Sequence, residues 1–325
     1  MDASGARTGR APGWLEGMKA IAINRYGGPD VVEYTELPDP KVGPDSVLVR
    51  TRAVGVNPVD WKIREGHLDG ILDVHFPLVM GFDLAGVVQA VGGAVTEFRP
   101  GDEVIGYVRK DVIEHGTYAE LVAAPVRTLA RKPAALSWAE AGGLPTAGLT
   151  AQQALVNALH LRRGESVLIH AAAGGVGSIA VQIAGALGAR VIGTAGPHNH
   201  TYLRGLGVEP VEYGQGLAER VRALAPDGVD AVLDLVGGEA LDVSTALAKD
   251  PTRIASAVDY RVTEFGGHYI WTRPDPEDLA AVARLAEDGL LTVPVASTFP
   301  LGQAASAQAL NAEGRTRGKI VLLVD

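Results

Sequence analysis

The strongest chemical signal in the chain is the run Val167-Leu168-Ile169-His170-Ala171-Ala172-Ala173-Gly174-Gly175-Val176-Gly177, which leads directly into Ser-Ile-Ala-Val-Gln-Ile-Ala-Gly-Ala-Leu-Gly-Ala. An apolar strand must turn here at once into a helix whose first N–H groups face outward, the arrangement that holds a pyrophosphate at the positive end of a helix. Side chains in the turn would hold the phosphates off, so glycine is required. Gly174 and Gly177 satisfy the second and third positions of the G-x-G-x-x-G spacing, Ala172 stands at the first, and Gly175 and Val176 complete the turn. A glycine-rich turn by itself is a weak signal, because any tight strand–helix junction uses one.

The next strand ends Gly193-Thr194-Ala195-Gly196, without the Asp or Glu that NAD-selective sites place about 20 residues past the glycines to hold the ribose hydroxyls. It is followed by His198, Asn199, His200 and Arg204, donors and cations suited to a ribose 2′-phosphate. Each histidine taken alone is as readily a solvated helix start, so the missing acid carries more of the argument. The cofactor expected is NADPH.

These residues need a scaffold, and the pattern supplies one. From Glu165 onward strands and helices alternate through SVLIHA, RVIGT, VEPVEY, VDAVLDLV, TRIASAV and HYIWT. Six strands with helical crossovers make a doubly wound parallel sheet, the context that turns the glycine signal into a Rossmann reading. Before it, from Met18 to about Ala135, short β-type runs separated by Gly, Pro and Asp read as an all-β barrel. Ser137 with Glu140 three positions on is a capping box that starts a helix, and a second follows Pro145. After a helix beyond Pro274, VPVAST and KIVLLV no longer alternate with full helices and are expected to rejoin the β unit, which puts the site in the cleft between. The expected division is a flexible extension at 1–17, a β unit of 18–139 and 273–325, and a nucleotide unit of 140–272.

Composition excludes several classes. The chain has 325 residues, enough for two domains at about 150 residues each. It has no cysteine, which removes disulfides, thiolate zinc sites and any cysteine nucleophile. A net charge of −9, 5% aromatic residues and no basic run argue against nucleic acid and for a small-molecule partner. The one long stretch without charge, Ser166 to Ala189, is broken by His170 and the glycines into strand, turn and helix, so no membrane span is expected. No secretory signal is seen, and the expected residence is cytoplasmic.

Gly55-Val56-Asn57-Pro58-Val59-Asp60, Gly81-Phe82-Asp83-Leu84-Ala85-Gly86, Arg99-Pro100-Gly101-Asp102-Glu103-Val104, Ala171 to Gly177, and Gly318-Lys319-Ile320-Val321-Leu322 together resemble the medium-chain dehydrogenase/reductase superfamily. Within it they are most similar to the zinc-free quinone oxidoreductase and enoyl reductase branch. The resemblance covers Met18 to the C-terminus. It implies a GroES-like barrel joined to a Rossmann domain, and a homodimer pairing edge strands 268–272. Zinc-using relatives place a Cys where Asn57 stands, a His where Phe82 stands, and a Cys or acid near Gly143, so no metal site is expected. Without a Lewis acid, reduction of simple carbonyls loses its main source of polarisation. A conjugated acceptor needs less help, because hydride added at carbon delivers charge to a delocalised oxygen.

The resemblance also marks site residues. Asn57 is suited to hold the nicotinamide ribose or a substrate oxygen, or it serves only as a turn former before Pro58. Asp60 matches a family position and equally suits loop organisation. His67 and Lys62 lie in the same loop as possible proton donors. Leu68 holds the place where some enoyl reductases use a donor Tyr. The phenols left near the expected cleft are Tyr107 and Tyr260, either of which could donate to a developing enolate or simply pack. Thr146 corresponds to a threonine beside the nicotinamide, Tyr213 to the adenosine phosphate region, Val236 and Gly237 to a segment under the nicotinamide ribose, and Ser256 and Lys319 to positions near the cofactor.

The function expected from all this is a zinc-independent, NADPH-dependent reductase of a quinone or activated C=C bond. Two alternatives remain at this point: a tailoring enoyl reductase on a polyketide-like or thioester-linked enone, and a nucleotide-binding protein without efficient turnover.

Overall fold

The computed structural model describes residues 17–325, so the extension expected at 1–17 lies, apart from Gly17, outside the described residues. The strand Ser166–Ile169 is buried along its whole length, as is Ala231–Asp234, the continuous apolar run of strands covered by helices on both faces. They sit at the centre of a six-stranded parallel sheet ordered Glu209–Val211, Arg190–Thr194, Ser166–Ile169, Ala231–Asp234, Ile254–Ser256, His268–Tyr269. This is the doubly wound order whose switch point lies between the strands ending at Ile169 and Asp234. The sixth strand is two residues long rather than five: after Tyr269 the chain leaves the sheet, and Ile270 to Thr272 line the cleft instead.

The remaining strands form two sheets. A four-stranded one joins Glu33–Leu37, Met18–Ile23, Asp73–Val79 and Val112–His115. The seven-stranded one is built on the long strand Ser46–Val56, which pairs with Leu121–Pro125 and Asp83–Val91 along its first part and with Lys319–Leu323 at its end. Val295–Pro300 runs parallel to Lys319–Leu323 at the sheet edge. Thus the last strands of the chain pair with a strand near its beginning.

That register positions the site. Ile320 pairs with Val56, so Lys319 and Asn57 emerge side by side at the end of the sheet. Asp83 opens its strand opposite Tyr107. Gly55 leaves room for it, since a Cβ there would collide with the Asp83 carboxylate and the Gly142 carbonyl. The Ser137–Glu140 capping box is present: Ser137 N–H donates to the Glu140 carboxylate at 2.8 Å. The helix Pro145–Gln152 follows and packs on Gly177–Ala186 and on Pro276–Glu287, which joins the two halves through a shared apolar core. Among the described residues no helix is long and apolar enough to cross a membrane.

Candidate active site

After Ile169 the chain turns sharply, with Ala171 at φ +48°, and becomes helical at Gly177. The turn is pinned from the neighbouring strand: Ala171 N–H donates to Thr194 Oγ1 at 3.1 Å and Ala172 N–H to the Thr194 carbonyl at 2.9 Å. A Cβ on Gly177 would collide with the Ala171 carbonyl, so the turn closes only with glycine there. Gly174 is different. A Cβ on it would meet only the Ala171 carbonyl, at 3.2 Å, and otherwise project where the cleft opens. The N–H groups of Gly175, Val176 and Gly177 have no backbone acceptor among the described residues and border the cleft. Unpaired N–H groups at a helix start beside a cavity suit a pyrophosphate.

Two cavities meet at this turn. The larger, about 1140 Å³, extends past Thr194, Gly196, His198, Asn199, Tyr213, Val236 and Gly237. The smaller, about 400 Å³, lies against Asn57, Phe82, Tyr107, Thr146, Trp271 and Lys319. Ala171, Gly174, Gly314 and Thr316 border both. The pair has the form that a dinucleotide reaching toward an acceptor requires.

The smaller cavity is floored by a buried polar cluster. Asp83, wholly buried, accepts from Asn57 Nδ2 at 2.8 Å, Thr146 N–H at 2.7 Å and Thr146 Oγ1 at 2.5 Å. Lys319 Nζ lies 2.5 Å from Asn57 Oδ1 and 3.7 Å from Asp83 Oδ2. Burial pushes the Asp83 carboxyl up and the Lys319 ammonium down from their ordinary ranges; their mutual attraction opposes both shifts, and the Asn57 and Thr146 donors further oppose that of Asp83. The Asn57 side chain is therefore committed to this cluster. The local turn is closed instead by Asp60, whose Oδ2 accepts the Asn57 N–H at 2.8 Å and the Tyr118 hydroxyl at 2.7 Å. Burial pushes the Asp60 carboxyl up to about 7, against the pull of those two donors.

The other expected residues divide. Thr194, His198, Asn199, Tyr213, Val236 and Gly237 border the larger cavity. Val236 and Gly237 are set by Asp234, which accepts both N–H groups and the Ser256 hydroxyl. Ser256 is buried and so holds that loop from beneath. Ala172 is likewise buried under the turn, packed close to Gly193. His200 is spent on the Ala195 carbonyl at 3.1 Å, and Arg204 is exposed and borders neither cavity.

Among the proton-donor candidates Tyr107 and Lys62 border the small cavity, and Tyr107 is the buried one of the two. It stacks edge-on against Phe82, with burial raising its phenol above the ordinary range and the Arg109 guanidinium opposing that. Tyr260 is 70% exposed and stacks on Tyr269, and His67 is exposed beside Glu65 and Trp61.

Sequence reasoning missed Asp83, Asp234, Arg109 and the loop Gly314–Thr316. A carboxylate inside the apolar strand run Phe82-Asp83-Leu84-Ala85 was the available signal for the first. The loop borders both cavities because Gly318 N–H donates to the Ala173 carbonyl at 3.1 Å, tying the C-terminal segment to the glycine turn.

At the three zinc positions stand an amide engaged in hydrogen bonds, a phenyl ring and a glycine. Among the described residues no group of three or more His, Cys, Asp or Glu side chains is arranged to hold a metal. What the arrangement offers is an anion-binding turn and a mostly apolar acceptor cavity with ammonium, amide and hydroxyl groups along its floor.

Residues 43–134 match the alcohol dehydrogenase GroES-like domain family and residues 206–322 the zinc-binding dehydrogenase family. The quinone oxidoreductase of Pseudomonas aeruginosa is 35% identical, over 94% of this chain and 99% of its own length. Erythronolide synthase EryA2 of Saccharopolyspora erythraea is 38% identical over 91% of this chain, which matches 8% of that much longer protein. The solved structure of the quinone oxidoreductase from Coxiella burnetii superposes with a TM-score of 0.82 at 34% identity, covering 95% of this chain and 99% of that one. With these two matches spanning both halves of the fold, the chain belongs to the medium-chain dehydrogenase/reductase superfamily, in its quinone oxidoreductase and enoyl reductase branch.

Proposed function

We propose that the protein is a zinc-independent, NADPH-dependent reductase of quinones or conjugated C=C bonds. The observation that carries this reading is the Asn57–Lys319–Asp83–Thr146 cluster that floors the smaller cavity, next to the glycine turn that both cavities share. It presents donors where zinc-using relatives have ligands. A bound nicotinamide supplies a hydride from its C4 carbon. The chain's own contribution is to grip the pyrophosphate through the N–H groups of Gly175, Val176 and Gly177, and to keep water from the acceptor with Leu68, Phe82 and Trp271. Lys319, Thr146 and Asn57 orient the cofactor's reactive end, and the Tyr107 hydroxyl donates to the acceptor oxygen as charge builds on it. Leu68 holds no donor, so the reduced acceptor leaves as its enol and takes its carbon proton in water after release.

The preference for NADPH rests on the residues at the end of the second strand. His198 and Asn199 border the large cavity there, and Arg315 approaches it from the C-terminal loop. The carboxylates that reach this cavity, Glu219, Glu239 and Asp242, come from the later helices, and Asp242 is paired with Arg261 at 3.0 Å. In the same reading, residues 18–139 and 273–325 form the acceptor half and 140–272 the cofactor half, the protein is a homodimer joined along the edge strand near 268–272, and it works in the cytoplasm.

Likeness to a segment of a polyketide synthase favours one narrower reading, reduction of a thioester-linked enone. The test for both is oxidation of NADPH and of NADH by the purified protein with a panel of quinones, enones and enoyl thioesters. Turnover faster with NADH overturns the cofactor assignment. No turnover with any acceptor, despite tight NADPH binding, overturns the reductase reading.

A further inference from the structure

The acceptor cavity is cationic in a protein that is acidic overall. Lys62, Arg109 and Lys319 border it and, among the described residues, no Asp or Glu does, although the chain carries a net charge of −9. Lys319 is answered by Asp83 beneath it, and Lys62 lies 5.7 Å from the centre of the Trp61 ring. Arg109 neighbours the neutral Tyr107 hydroxyl and, among the described residues, has no close carboxylate. Its side chain is 14% exposed and its Nε is buried without a hydrogen-bond partner. The nearest carboxylate, that of Asp111, stands 4.0 Å away and is wholly exposed, so its attraction is screened by solvent.

A mostly buried guanidinium with no close carboxylate is costly, and an anion in the cavity would offset that cost. Arg109 follows the strand Glu103–Tyr107, so its position is set by the same strand that places Tyr107. Around it the wall is apolar: Leu68, Leu72, Phe82, Ile270 and Trp271. An acceptor that satisfies both features has a conjugated apolar body and one anionic group. The cavity, about 400 Å³, must also take the nicotinamide end, which suits a small carboxylate better than a long phosphate-bearing arm.

We infer that the acceptor carries a carboxylate, and that Arg109 is the residue that selects it by a charge-assisted hydrogen bond. This rests on the reductase reading and narrows it to conjugated acids. The competing account is that Arg109 only packs beside Tyr107 and meets solvent.

The two accounts separate with a matched pair, trans-4-oxo-2-pentenoate and its methyl ester, which share the reducible double bond and differ in charge. Wild type, Arg109→Leu and Arg109→Lys are compared with NADPH. The ratio of kcat/KM for acid over ester falls about tenfold or more in Arg109→Leu, mainly through the KM of the acid, and Arg109→Lys recovers part of it. An unchanged ratio overturns the inference. Arg109→Gln, which keeps bulk and polarity, takes the place of the Leu variant if that one does not fold.

A second measurement needs no turnover. Titration of 4-oxopentanoate onto the protein with NADP⁺, followed through tryptophan fluorescence, shows saturable binding that weakens by about tenfold in Arg109→Leu. If neither the pair nor a quinone is reduced, the reductase reading fails while this titration still decides the anion site. Reduction of ester and quinone together with no Arg109-dependent binding overturns the anion site alone.

Discussion

Lys319 Nζ lies 2.5 Å from the amide oxygen of Asn57, a residue 262 positions earlier in the chain. The contact follows from sheet register, because Ile320 pairs with Val56 and brings the preceding Lys and the following Asn together. It also commits a buried ammonium to a site whose counter-charge, Asp83, has no access to water.

Removing that ammonium should be costly. Lys319→Met leaves Asp83 buried and unpaired, a loss expected at about 3–5 kcal/mol. The measurement is the denaturant midpoint, and the double variant Lys319→Met/Asp83→Asn should recover part of the loss. If the two substitutions are simply additive, the ion pair does not contribute as the geometry implies.

Asp60 gives the protein a pH dependence of definite sign. Its folded carboxyl is pushed up to about 7 from 3.8. Below about pH 4 both folded and unfolded chains hold the proton, so its contribution to stability is fully present there. As pH rises toward 7 the unfolded chain ionises while the folded one keeps its proton, and stability falls. Asp83, Tyr118 and Lys319 surround the group and titrate in the same cluster, so the difference between wild type and Asp60→Asn is the quantity to follow. The variant should show a flatter fall in denaturation midpoint between about pH 4 and pH 7. Parallel pH profiles would contradict the raised carboxyl.

The parts of this site visible in the sequence are those fixed by local chemistry. The Gly174–Gly177 turn, the Ser137–Glu140 cap and the alternation of buried strands with helices depend on residues a few positions apart. The run His268 to Thr272 has uniform strand character, but the strand ends early because, past the Ile270 N–H bond to the Ser256 carbonyl, Thr272 turns to a hydrogen bond with the Thr150 hydroxyl at 2.7 Å. Asp83, Arg109 and Arg315 were not legible as site residues. Their roles arise from strand register and from the return of the C-terminal segment; only Asp83 carries a local signal, a carboxylate inside an apolar strand. Arg204 shows the converse: its type and spacing suited a phosphate, but its side chain lies on the outer face of a short helix.

Two glycines of one turn should fail in different ways. At Gly174 a side chain projects into the cleft, so Gly174→Leu should fold with a near-wild-type melting temperature and lose NADPH binding. At Gly177 even a methyl group collides with the Ala171 carbonyl, so Gly177→Ala should lower stability by about 1–3 kcal/mol, the range for overpacking a tight site. Calorimetric NADPH titration beside thermal melts checks both. Intact binding in Gly174→Leu would remove the turn as the phosphate site.

The choice between phosphorylated and unphosphorylated cofactor should lie with Arg315 and not with Arg204. Arg315 borders the large cavity from a loop tied to the glycine turn, whereas Arg204 is exposed and borders neither cavity. Arg315→Ala should raise the Kd for NADPH by about tenfold and that for NADH by much less, because the 2′-phosphate is the charged group that NADPH has and NADH lacks. The NADPH effect should shrink as salt rises, since an exposed ion pair is screened within a Debye length of about 10 Å at 0.1 M. Arg204→Ala should leave both constants unchanged. Equal loss of NADPH and NADH affinity in Arg315→Ala would mean that the loop acts on the shared pyrophosphate, and a loss confined to Arg204→Ala would return the 2′-phosphate to the helix after the second strand.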